Sequence, residues 1–324
     1  MPDASGTTRA VRLVNPLPTL LGRYCLTLEE MLTAGGTCAV TEAFPSIEMA
    51  DPSAVGRGLR GVRVLRAIRR ELRREGRSIV CLWPSFGLAD PFAWGHRNST
   101  RVRVVFHDPV PMRRQFGTGQ VAGRIGRTAL GGQVEAIVHS SLAAEALVDR
   151  GWPEPLLARH PMGSPGSRLR EADGSVAVLG QYKPVRDVEL LARLGPELRR
   201  RGYRPVIVGR GWPEITGWEI RGDFVPEHEL TESIAGSSAV LIPYTRYYQS
   251  GIAIRAAEVS VPVVGREHPF LSDLFGRDWS GLVASGATGT WLDAVDAAVG
   301  TEVLPAVSSY HERAIADWRR VARS

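Results

Sequence analysis

SVAVLGQYKPVRDVELL, residues 175–191, reads as a short buried strand, a turn and the start of a helix. The apolar run up to Leu179 does not alternate with polar residues, so both faces of the strand are expected to be covered, as in a parallel sheet. Gly180 lets the chain turn at the strand end. Pro184 suits the first turn of a helix that runs to about Arg201. The same figure returns downstream in PVIVG (205–209), AVLIP (239–243) and VPVVG (261–265), with helical stretches near 227–235 and 251–259. Upstream it is present in AVRLV (10–14), TCAVT (37–41), SIVCLW (78–83), VRVVF (102–106) and EAIVH (135–139). Helical stretches at 22–34, 57–75 and 141–149 separate them. Between the two series lies PMGSPGSRLREADG (161–174), rich in Pro, Gly and Ser, which reads as a linker. Two successive doubly wound α/β units are therefore expected, over 1–165 and 166–309. The basic helical segment YHERAIADWRRVAR (310–323) is free either to pack back on the first unit or to cap the second.

Composition bounds the function. A chain of 324 residues exceeds one comfortable core, and 44% hydrophobic with 23% charged residues is ordinary for a globular protein. No apolar run reaches the roughly 18 residues of a membrane span. The first residues, MPDASGTTRAVRLV, lack the layout of a signal peptide, so a cytoplasmic protein is expected. Cys25, Cys38 and Cys81 have no metal-ligand spacing and read as reduced thiols. With neither Asp-x-Asp nor His-Glu-x-x-His nor a cysteine cluster, no catalytic metal and no cofactor is expected. The net charge of +6 favours anionic partners. Nucleic acid is not expected among them, because no reader motif or interleaved aromatic pattern accompanies the charge.

Ligands of doubly wound folds bind where the loops leave the strands. In the loop from Gly180 to Arg186, Lys183 and Arg186 are three residues apart and can face one side. Lys183 is the single lysine among 40 basic residues. In a chain that otherwise uses arginine, it suggests a place for a compact ammonium. Two cations beside a helix start suit a diphosphate, although solvated basic residues would look the same. A second loop, Pro243 to Gly251, ends in Gln249-Ser250-Gly251. There a hydroxyl and free helix-terminal amides could face an anion, or Ser250 could simply cap the helix.

These stretches resemble the family-4 glycosyltransferases, which have the two-lobed GT-B fold of Rossmann-like domains facing a cleft. LGQYKPVRDVELL (179–191) is similar to the family's strand-turn-helix. GDFVPEHELTESIAGSSAVLIPYTRYYQSGIAIRAAEVSVPVVG (222–265) is similar to the stretch from the base-binding loop to the donor-phosphate helix. The subgroup it most resembles acts in bacterial polysaccharide and glycoconjugate synthesis. VNPLPTLL (14–21), LWP (82–84), VVFHDPVP (104–111), VHSS (138–141) and HP (160–161) fit more loosely.

The resemblance implies transfer of a sugar from a nucleotide-diphosphate donor to a glycan, lipid-linked or small-molecule acceptor. It implies retention of configuration with no dedicated protein base. Lys183 and Arg186 would neutralise the diphosphate. Gly180, Gln249, Ser250, Gly251, Ile252 and Arg255 would line the donor site, with Phe224 and Val225 near the base. His107 would face the transferred sugar, and His160 would shape the turn into the linker. If the reaction inverts, His107 or Asp108 is the candidate base. Where many relatives carry two glutamates eight positions apart, this chain has Tyr247 and Arg255, and Glu258 falls three positions late. A catalytically silent glycosyltransferase-like partner is therefore the alternative, and a nucleotide-sugar epimerase a third reading.

Residues 57–77, RGLRGVRVLRAIRRELRREGR, form an arginine-rich helix. Val62, Val64, Leu65, Ile68 and Leu72 are expected to pack on the first sheet. The arginine face is expected in water, on an acidic glycan or on the anionic inner face of a membrane.

Overall fold

The computed structural model describes residues 10–44, 54–74, 78–95, 100–111, 117–130, 134–168, 170–223 and 225–323. The chain divides into two compact units, Met1–Pro161 with Arg313–Ser324, and Met162–Glu312. Each is built on one parallel six-stranded sheet.

The first sheet contains β1 (Ala10–Asn15), β2 (Cys38–Ala43), β3 (Ser78–Cys81), β4 (Val102–Val105), β5 (Val134–Val138) and β6 (Leu156–Leu157), in the spatial order β2-β1-β3-β4-β5-β6. Leu13, Val80, Val104 and Ile137 fill its centre and are essentially inaccessible to water. The helices of this unit are α1 (Gly22–Ala34), α2 (Ala54–Leu72), α3 (Asp90–Trp94), α4 (Gln120–Arg127) and α5 (Ser141–Val148).

Helix α2 buries a face different from the expected one. Val64, Ile68 and Leu72 are buried, joined by Ala67 and Glu71, but Val62 and Leu65 are exposed. The cause is a buried ion pair. Arg12 of β1 reaches Glu71, whose side chain is fully buried, and Arg74 lies 3.6 Å from the same carboxylate. Capturing Glu71 turns the helix so that the Val64–Ile68–Glu71 line meets the sheet. A buried ion pair adds little net stability, but removing one partner strands the other charge.

The second sheet contains β7 (Ser175–Leu179), β8 (Arg204–Val208), β9 (Glu219–Arg221), β10 (Ala239–Ile242), β11 (Val263–Arg266) and β12 (Leu282–Val283), ordered β12-β11-β10-β7-β8-β9. Its helices are α6 (Val188–Arg200), α7 (Glu227–Gly236), α8 (Gly251–Glu258), α9 (Pro269–Phe275) and α10 (Thr288–Ala298). Read from β9, the strands run third, second, first, fourth, fifth, sixth, which is the Rossmann order. The order reverses between β7 and β10, and doubly wound sheets open a ligand crevice at that point.

The linker has a tether within the second unit. Gly163 N donates to Glu258 Oε1 at 2.7 Å, Gly166 N donates to Glu258 O at 3.0 Å, and Ser260 Oγ donates to Gly166 O at 2.6 Å. Glu258 thus secures the linker to the end of α8. A last helix, α11 (Leu304–Arg323), begins in the second unit and ends in the first. There Trp318 Nε1 donates to Arg159 O at 2.9 Å, and Asp317 accepts from Arg159 Nη1 at 2.7 Å. No helix among the described residues is long and apolar enough to cross a membrane.

Candidate functional site

The loops after β7 and β10 leave the sheet side by side at the reversal of strand order and are joined backbone to backbone. Arg186 and Tyr244 form an isolated antiparallel bridge. Asp187 N donates to Pro243 O at 2.7 Å, and Thr245 N donates to Val185 O at 2.9 Å. Asp187 then starts α6, accepting from Leu190 N at 3.0 Å, while its second oxygen takes Arg266 Nη2 of β11 at 2.8 Å. Three strands therefore contribute to the frame of this loop pair.

Within that frame Arg186 is buried. Its guanidinium carbon lies 4.8 Å from the ring centroid of Trp212 and 4.9 Å from that of Tyr244. Its Nη2 donates to Leu179 O at 2.7 Å. Desolvation holds its pKa below the ordinary guanidinium value, which still leaves it cationic at neutral pH. No carboxylate pairs with it among the described residues. Cation–π contacts offset part of the desolvation cost but bring no negative charge. Gly180 makes room for this cation. Its φ is +92°, and a Cβ there would stand 3.1 Å from Arg186 Nη2. Lys183, three residues before Arg186, is exposed, and its ammonium has no partner among the described residues.

The β10 loop ends at the N-terminus of α8. Ser250 is the cap, accepting from Ala253 N at 3.2 Å, so the hydroxyl oxygen has the structural role the sequence left open while its proton stays a donor. Gly251 follows in open space, with nothing within 4 Å of a would-be Cβ. Ile252 and Gln249 are half-buried. Val225 lies just before α7, half-buried, and Phe224 lies outside the described residues.

The two positions of the missing glutamates hold different chemistry. Tyr247 is buried and stacked on His268, with ring centroids 3.9 Å apart. Its hydroxyl has no partner among the described residues. Burial pushes its pKa up, so it stays a neutral phenol. His268 Nδ1 accepts from Phe270 N at 3.1 Å, so Nε2 carries the proton and donates to Tyr247 O at 2.9 Å. Arg255 points to α7 instead. It donates to Glu227 O at 3.1 Å and to Thr231 Oγ1 at 2.6 Å, and meets Glu227 Oε1 at 3.0 Å.

The first unit has an aromatic and imidazole cluster at the carboxyl ends of β4 and β5. His107 Nε2 donates to Leu82 O at 2.9 Å, and its ring stacks on Trp83 at 5.4 Å. His139 Nδ1 donates to Ala158 O at 2.7 Å, which leaves Nε2 to accept from Tyr24 Oη at 3.0 Å. His160 completes the group at 5.3 Å from His139 and 6.5 Å from His107. Burial, reinforced by the charge of His160, pushes the His107 pKa down to about 3. The imidazole is therefore neutral at physiological pH and a weak base. A cavity of about 160 Å³ opens beside it, lined by Trp83, Ser85, Asp108 and Thr118, with Arg60 of α2 on its wall.

Beneath the cavity loop lies Asp90, fully buried. It accepts from Phe86 N at 2.9 Å and from Trp94 Nε1 at 3.0 Å, which holds residues 86–94 in shape. Burial raises its pKa to about 7. The sequence carried no sign of this, because an Asp before a Pro reads as an ordinary helix start.

No protein-family model and no curated protein matches the chain. Solved structures do. TarM aligns with 81% of this chain at 12% identity and a TM-score of 0.60, and the chain spans 58% of TarM's length. The α,α-trehalose 6-phosphate synthase of Burkholderia multivorans aligns over 97% of both chains at 11% identity, TM-score 0.60. WaaG, a glycosyltransferase involved in lipopolysaccharide biosynthesis, aligns over 97% of this chain and 95% of its own at 12% identity, TM-score 0.52. TarM from S. aureus, as a G117R mutant, has also been crystallised with UDP. At such identities these likenesses establish the fold. The chain has two Rossmann-like α/β units arranged along the sequence as in GT-B glycosyltransferases.

Proposed function

We propose that this protein is a glycosyltransferase that uses a nucleotide-diphosphate sugar in the second unit. The observation that carries the reading is Arg186: a buried cation, held between two rings at the strand-order reversal, without a pairing carboxylate. An anion bound there would supply the missing countercharge. Lys183 adds an exposed ammonium on the same loop, and the N-terminus of α8 adds amides and the Ser250 proton. Together these groups would stabilise negative charge as the nucleoside diphosphate departs, which is the demand of the transfer step. Gly180 and Gly251 allow close backbone approach, and Val225 lies where the base would be expected.

The reading extends to a retaining transfer without a metal, in the cytoplasm. The neutral, weakly basic His107 supports retention, because an inverting reaction needs a base and His107 is poorly suited to act as one, so inversion would fall to Asp108 beside the same cavity. In the first unit the Trp83–His107 stack beside Asp108 and Ser85 offers an aromatic face and polar groups for a sugar ring. A second reading rests on Arg255. A guanidinium, held by Glu227 and Thr231, stands there in place of a carboxylate that could bind a ribose, and a chain that binds a nucleotide sugar without turning it over has the same anion site.

The experiment is to incubate purified full-length protein with a panel of nucleotide sugars, with and without candidate acceptors. Release of nucleoside diphosphate with a glycosylated product of retained configuration supports the transferase. Tight binding without turnover supports the silent reading. Failure to bind any nucleoside diphosphate overturns both.

A further inference from the structure

The outward face of α2 is unlike that of an ordinary surface helix. Leu59, Val62 and Leu65 stand exposed by 58%, 46% and 37%, spaced three residues apart. Between and beside them Arg63, Arg66, Arg69 and Arg70 are also exposed. The one acid of the helix, Glu71, is fully buried against Arg12. The ion pair that turns α2 is thus what presents its apolar side chains to the outside. The neighbouring helices continue the pattern. Helix α2 packs on α3, which exposes Phe92, and α3 packs on α4, which exposes Val121, Ile125 and Arg124. Among the described residues, α2, α3 and α4 expose no acidic side chain.

We propose that this three-helix face docks on an anionic lipid bilayer, with the apolar side chains entering the headgroup region and the arginines meeting lipid phosphates. Charge selects the occupant. A face with arginines and no exposed acid would repel a second copy of itself, whereas an acidic bilayer attracts it. Apolar residues interleaved with arginines suit an interfacial helix, which buries one kind of group and pairs the other. The face also borders the cavity beside His107, because Arg60 of α2 and Thr118, just before α4, line that cavity. Docking would therefore present the cavity to molecules carried in the bilayer surface. That corollary, an acceptor anchored in the membrane, rests on the proposed transfer; the docking itself does not.

The test is flotation of the full-length protein with vesicles of phosphatidylcholine alone or mixed with phosphatidylglycerol. Wild type is expected to float only with the mixed vesicles and to be released by high salt. Leu59→Ser/Val62→Ser/Leu65→Ser and Arg63→Gln/Arg66→Gln/Arg70→Gln are each expected to weaken partitioning by at least about tenfold. Val121→Ser/Ile125→Ser repeats the apolar test on a separate helix should the first variant misfold. Wild type remaining with the unbound protein at low salt overturns the proposal. So does an apolar variant, folded by circular dichroism, that floats like wild type, since the contact would then be loose charge attraction only. Nucleoside diphosphate binding, measured on the same samples by calorimetry, reports on the second unit separately, so failure of docking and failure of the transfer reading are distinguishable.

Discussion

Arg186 and Tyr244 pair through their backbones and again through their side chains, the guanidinium carbon lying 4.9 Å from the ring centroid. The same contact that joins the β7 and β10 loops therefore fixes a cation at their junction. The position of that charge is set by the loop pairing together with the two rings and the Leu179 carbonyl that hold the guanidinium.

Lys183 and Arg186 should separate in their effects. Lys183→Ala removes an exposed ammonium and should leave the melting temperature unchanged. It should still weaken nucleoside diphosphate binding about tenfold or more, because a hydrogen bond to a charged group contributes about 1.5–3 kcal/mol. Arg186→Gln should lower both affinity and stability, since it empties the space between Trp212 and Tyr244. Calorimetry with thermal melts measures both. Unchanged affinity in Lys183→Ala removes it from the site.

Gly180→Ala should be damaging despite adding one methyl group. The backbone there has φ +92°, which a residue with a Cβ adopts at a cost of about 1–2 kcal/mol, and the Cβ would press on Arg186 Nη2. Lower stability by denaturant unfolding, together with weaker diphosphate binding, is expected. A variant of wild-type stability and affinity would show that the cation is not held by this turn.

Tyr24→Phe should destabilise the first unit by about 1–3 kcal/mol, because it removes the proton that His139 Nε2 accepts in a buried setting. Urea unfolding measures this. An effect below about 0.5 kcal/mol would mean that water replaces the phenol.

Asp90 should give the protein an unusual pH dependence. Its folded pKa, about 7, is above the usual carboxylate range, so the folded state binds more protons between about pH 4 and 7. Stability from this group therefore falls as pH rises through that window and is level above it. His107 has the opposite slope. Its folded pKa of about 3 is below the unfolded value, so its contribution grows as pH rises from about 3 to 6.5, and burial lowers the His139 pKa in the same direction. The two histidines mask Asp90 in wild type alone. The stability of wild type relative to Asp90→Asn should decrease from pH 4 to 7. A flat difference would place the Asp90 pKa in the ordinary range.

Any turnover should survive chelation. In the proposed transfer, the charge would be supplied by Lys183, Arg186 and the α8 terminus. Loss of rate in EDTA, restored by Mg²⁺ or Mn²⁺, would assign part of that task to a metal.

Much of the second unit was legible along the chain. The strand at 175–179, the turn at Gly180 and the helix beginning at Gly251 follow from local signals, namely a buried apolar run, a glycine and a Ser-Gly helix start. Other features had no local sign. Trp212 encloses Arg186 from a loop 26 residues away, and no periodicity connects the two. Strands as short as β6 and β12, two residues each, fall below any period that can be counted.

The alternation of strands and helices, the burial of the strands on both faces and the succession of two such units can all be read along the chain, because they depend on neighbours within a few residues. Which strands lie side by side, and hence that the loops after β7 and β10 meet, is settled by long-range packing. So is the face of α2 that turns inward. The helical period of α2 allowed Val62 and Leu65 inside, but the buried Arg12, which also lies 3.5 Å from Glu42, takes Glu71 as its hydrogen-bonded partner and so draws Glu71 inward in their place. A contact between residues 59 positions apart is a property of the folded chain, and no local reading of either segment contains it.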